Sequence, residues 1–125
     1  MFFNSCTKKS QESCEAKVCT QMYATISVKF TVSSGNPLVV NDYYSKNLRT
    51  GKLMNATFVT DTINYKGYYY VVSDGNLKEL NNSDKILVSA KHPVTNVLKQ
   101  AEFTISGGEC ACHVAKMAGP DEVRF

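Results

Sequence analysis

The sequence predicts an all-β protein, an antiparallel sandwich of seven or eight strands. Apolar and polar residues alternate with period two in several segments, and clusters of Gly, Pro, Asn and Asp interrupt the chain about every ten residues. No stretch carries the 3.6-residue period of a long helix.

The first strand is the clearest. Ala24, Ile26, Val28, Phe30 and Val32 alternate with Thr25, Ser27, Lys29 and Thr31, giving one dry and one wet face. Ser33 to Pro37 breaks it, because Gly35 tolerates positive φ and Pro37 has no N–H to donate. Leu38 to Tyr44 reads as the next strand, Arg49 to Lys52 as a turn and Leu53 to Thr60 as a further strand. Asp61 to Tyr65 carries no clear period. Lys66-Gly67 then introduces the most β-prone run, Tyr68-Tyr69-Tyr70-Val71-Val72. Asn76 to Leu80 suits one helical turn, with Asn76 as N-cap and Glu79 closing a capping box. Ile86, Val88 and Ala90 alternate again until His92-Pro93. Val97 to Ser106 follows as a strand with an irregularity expected at Gln100-Ala101. Glu109 to Met117 reads as a strand after Gly107-Gly108, and Gly119-Pro120 sets off a short last segment, Asp121 to Phe125.

With 125 residues, 43% of them hydrophobic and 20% charged, the chain suits one folded domain with a real core. Its net charge of +3 comes with scattered lysines and no basic run, too weak to argue for an acidic membrane surface or for nucleic acid, and no nucleic-acid partner is expected. No apolar run approaches the ~20 residues of a membrane-spanning helix.

Four of the five cysteines sit near the extremities, Cys14 and Cys19 at one and Cys110 and Cys112 at the other. Cys-x-Cys on a strand would send both sulfurs to one face about 7 Å apart. That placement suits two disulfides to the Cys14–Cys19 segment, with the pairing open. Zinc at Cys110, Cys112 and His113 is the alternative, but the spacing departs from that of structural zinc sites, and oxidising conditions favour disulfides. A redox role would want Cys-x-x-Cys at a helix N-terminus. For His92 and His113 a turn or surface role is favoured over catalysis, and no nucleophile-elbow motif is present. Asp42, Asp61, Asp74 and Asp84 lie in or beside turns, where Asp commonly serves the backbone. The tyrosines Tyr43, Tyr44, Tyr68, Tyr69 and Tyr70 read first as packing, with alternate rings inward, and second as a platform for sugar or peptide.

Phe3-Asn4-Ser5-Cys6 resembles the end of a bacterial lipoprotein signal, in which the cysteine takes a lipid and a polar tether follows. The charged and most of the apolar parts of such a signal do not precede it, so either the start lies upstream of Met1 or Cys6 is a free thiol. The lipoprotein reading divides the chain into residues 1–13, a truncated signal and tether, and residues 14–125, the sandwich. It also leaves an even set of four cysteines.

Two family resemblances extend this. Gly35-Asn36-Pro37-Leu38 after the first strand, Gly67-Tyr68-Tyr69 opening a middle strand and Ile86-Leu87-Val88 afterwards are similar to the plan of transthyretin-like sandwiches, including carboxypeptidase regulatory domains. An immunoglobulin-like topology fits nearly the same pattern. The purine-pathway hydrolases among the transthyretin-like proteins end in Tyr-Arg-Gly-Ser, whereas this chain ends in Glu122-Val123-Arg124-Phe125, so the resemblance does not imply that activity. Cys14-x4-Cys19 before the first strand, with Gly107-Gly108-x-Cys110-Ala111-Cys112-His113-Val114 near the end, resembles small bacterial cell-envelope lipoproteins. That resemblance implies a location, extracytoplasmic and membrane-anchored, and not a reaction. Taken together the readings lead us to expect a monomeric, non-enzymatic protein without cofactor, whose partner is an envelope protein or glycan and whose membrane contact is the lipid alone.

Overall fold

The computed structural model describes residues 19–54 and 66–125. Cys6, Cys14 and most of the strand expected over 53–60 lie outside these residues. Among the described residues seven strands form two sheets: β1 (Thr25–Thr31), β2 (Asn41–Asn47), β3 (Tyr68–Ser73), β4 (Asp84–Lys91), β5 (Leu98–Ser106), β6 (Ala115–Ala118) and β7 (Glu122–Arg124). One sheet runs β3-β1-β7 and the other β2-β4-β5-β6. A 3-10 helix, η1 (Asp74–Glu79), links β3 to the turn before β4.

The period-two segments do what their pattern requires. Val28 and Phe30 of β1, Ile86 and Val88 of β4, and Phe103 and Ile105 of β5 have no exposed surface, and with Val71 and Val72 of β3 they form the layer between the sheets. Burying a side chain of this size contributes about 1.5–3 kcal/mol. Phe30 sits at the centre, edge-on to Tyr43 and Tyr69 and tilted against Phe125.

Several expectations shift. Pairing is antiparallel throughout except between β7 and β1, which run parallel. There Thr31, on the nominally wet face, is buried and its hydroxyl donates to Glu122 Oε2 at 2.5 Å. The strand expected over 38–44 begins three residues later and extends to Asn47. Just inside its start Asp42 sits at φ 54°, and the register with β4 shifts between Asn41 and Tyr44. The inward residues beyond it are polar. Ser45 donates to Val71 O at 2.8 Å and Asn47 Nδ2 donates to Asp84 at 2.9 Å, so burial there costs little. The capping box is real but three residues early: Ser73 is the N-cap and Asn76 its N3 partner. β5 runs unbroken through Gln100 and Ala101, and the irregularity falls instead against β6, between Thr104 and Ile105.

The largest correction is at 109–117. Only Ala115–Ala118 is strand, and Cys110, Cys112 and His113 lie in the turn before it. The same-face geometry assumed for the two sulfurs therefore does not apply.

Candidate functional site at the disulfide pole

Cys19 and Cys112, 93 residues apart in sequence, are joined by a disulfide with a Cα separation of 5.2 Å. Cys110 is disulfide-bonded as well. With both sulfurs oxidised, neither Cys110 nor Cys112 is a thiolate able to hold the zinc ion weighed with His113, and the described residues contain no cluster of metal-ligating side chains.

The bridge brings residues remote in sequence together at one pole. His113 follows Cys112 directly, Thr20 follows Cys19, and Asp74 opens η1 immediately after β3. His113 Nδ1 stands 2.5 Å from Asp74 Oδ2, and His113 Nε2 stands 2.7 Å from Thr20 Oγ1. Asp74 also accepts the backbone N–H of Ala24 at 2.9 Å and that of Val114 at 2.9 Å. Its burial opposes ionisation, but the Ala24 amide, His113 and the Val114 amide together hold its pKa below the usual carboxylate value. An ionised Asp74 can only accept, so Nδ1 of His113 carries the proton. In the neutral imidazole Nε2 is then an acceptor, and the Thr20 hydroxyl donates to it. A hydroxyl, an imidazole and an orienting carboxylate thus follow one another in hydrogen-bond contact, with His113 only partly exposed.

The support behind this group is specific. Ser73 Oγ accepts the Gly75 N–H at 3.1 Å, and the Tyr23 hydroxyl lies 3.0 Å from Ser73 Oγ while accepting the same N–H at 3.0 Å. The Tyr23 and Asp74 contacts tie the chain entering β1 to η1. On the same pole an open groove of about 720 Å³ runs between the η1–β4 turn and the β5–β6 loop, lined by Lys78, Asn81, Asn82, Ser83 and Glu109 among others.

The tyrosines do not form one row. Tyr43 and Tyr69 point inward, their ring centroids 4.7 Å apart beside Phe30, and Tyr43 donates to Tyr70 O at 2.7 Å. Burial pushes the Tyr43 phenol far above its ordinary pKa. Tyr44 lies on β2, whereas Tyr68 and Tyr70 lie on β3 in the other sheet, so their outward rings belong to opposite faces of the sandwich. Tyr68 is covered in part by the Lys29 ammonium, 5.5 Å from the ring centre.

Thr20 and the pairing of Asp74 with His113 were not legible in the sequence. Asp74-Gly75 reads as an ordinary turn, and nothing in a separation of 39 residues announces a contact. No family model, curated protein or solved structure matches this chain.

Proposed function

We propose that this chain is a non-enzymatic binding or scaffolding module of a bacterial cell envelope, carried outside the cytoplasm and anchored by a lipid on Cys6. The observation that carries the reading is the oxidised state of Cys19, Cys110 and Cys112, since disulfides persist in extracytoplasmic compartments and are rare in reducing ones. The Cys19–Cys112 bond staples the chain just before β1 to the loop just before β6, which suits a rigid body on an N-terminal tether. Intact mass of the mature protein from its native host, with and without reductant, tests this. The expected result is a lipid-modified N-terminal cysteine and two reducible bridges. An unmodified chain with free thiols would overturn both compartment and anchor.

One observation favours a second reading, an acyl-transfer activity at Thr20. His113 Nε2 is placed to take the Thr20 proton while Asp74 holds the ring in the required tautomer. The Thr20 oxygen would attack an ester carbonyl carbon, the alcohol would leave with the proton from His113, and water would release the acid by the same route. A fluorophosphonate probe distinguishes the two readings. Acylation chemistry requires an adduct on Thr20 that disappears in His113→Gln, whereas an unlabelled protein leaves the group as a structural tie.

A further inference from the structure

The β4–β5 hairpin ends in a built tip far from the disulfide pole. Lys91 pairs with Leu98 at its base, while Asp84 and Ile105 close the other end of the same ladder, beside the loop that leads to Cys110. The tip is ordered by its own hydrogen bonds. His92 N–H donates to Val97 O and Asn96 N–H to His92 O, both at 3.0 Å, while His92 Nδ1 accepts the amides of Val94 and Thr95 at 3.1 and 3.3 Å. Asn96 holds the left-handed turn at φ 61°, and the His92 ring rests edge-on against Phe125 with centroids 5.7 Å apart. This rigid frame presents apolar side chains to solvent: Val94 is 81% exposed, Val97 49% and Leu98 52%. Solvating them serves no purpose within the fold.

The hairpin's own charges around the tip have one sign. From Lys85 to Ala101 the hairpin contains Lys85, Lys91 and Lys99 and not one carboxylate side chain. Asp42 on the neighbouring strand lies 3.8 Å from Lys91. Aliphatic side chains at the apex with lysines set behind them fit a surface that is apolar at depth and anionic at its face. We propose that the β4–β5 tip docks on an anionic phospholipid surface, with Val94, Val97 and Leu98 entering the acyl boundary and Lys91 and Lys99 meeting the headgroups. This goes beyond the envelope reading and does not depend on a lipid at Cys6.

The test is co-sedimentation of the full-length, disulfide-intact, unlipidated chain with sucrose-loaded vesicles of phosphatidylcholine, with and without phosphatidylglycerol. Binding is expected to the anionic vesicles and to be about tenfold weaker to the neutral ones. Val94→Asp is expected to reduce binding about tenfold without changing the melting temperature, because Val94 contributes nothing to the core. Lys91→Gln with Lys99→Gln is expected to abolish the preference for phosphatidylglycerol while leaving residual neutral binding. Failure of the wild-type chain to sediment with anionic vesicles overturns the proposal and leaves the tip to a protein partner. Binding that Val94→Asp leaves unchanged overturns it equally.

Discussion

Asp84 is the most committed charged residue among those described. Its side chain is 2% exposed, and its carboxylate accepts Arg49 Nε at 2.8 Å, Asn47 Nδ2 at 2.9 Å and the Asn81 amide at 3.0 Å. The Arg49 guanidinium, with these other donors, lowers its pKa from 3.8 to about 2. A carboxylate whose pKa is depressed on folding adds stability that is complete above its unfolded pKa and lost as pH falls through the folded one. The advantage of wild type over Asp84→Asn should therefore shrink by about 2 kcal/mol between roughly pH 4 and pH 2, an upper figure because Arg49 is half exposed. Urea denaturation of both proteins across that range measures it. Gly119 is constrained by packing instead. At φ +134° a side chain is already strained there, and an added Cβ would lie 2.4 Å from Cδ2 of the fully buried Phe103. Gly119→Ala should cost about 2–3 kcal/mol, read as a lowered denaturant midpoint at unchanged slope.

At the scale of elements, η1 connects β3 of one sheet to β4 of the other, and its cap fixes where it starts. Ser73 takes the N-cap place because its extended backbone, φ −145° and ψ 177°, ends β3 while its hydroxyl already accepts from Gly75. Ser73→Ala should cost about 1 kcal/mol, and thermal unfolding of that variant beside Tyr23→Phe would separate the cap from the tyrosine that shares its amide. A turn of helix near this place was legible because the segment has Asn, Glu and Leu at helical spacing. Its start was not, because Ser73 reads as the end of a strand and Asn76 looks equally able to cap. β2 teaches the same lesson. Hydrophobicity pointed to Leu38–Tyr44, but Ser45 and Asn47 face inward, and only partners on β3 and β4 make a polar inward face acceptable.

For the whole molecule the Cys19–Cys112 bond is the main covalent constraint among the described residues. Closing a loop of 93 residues is worth about 4–5 kcal/mol in the chain-entropy account. Cys19→Ser with Cys112→Ser should lose most of that, seen as a lower urea midpoint under conditions where the wild-type bridge stays oxidised. The period-two runs, the spacing of turn residues and the clustering of cysteines at the extremities were enough to determine an all-β sandwich with its two ends brought together. Those signals are local, since a pleat turns alternate side chains to one face whatever lies opposite. The parallel partner of β1, the turn that carries Cys112 and His113, and the meeting of Thr20, His113 and Asp74 were decided by tertiary structure alone. Each of them depends on where a remote segment ends after the sheets have packed, and chain spacing carries no record of that distance.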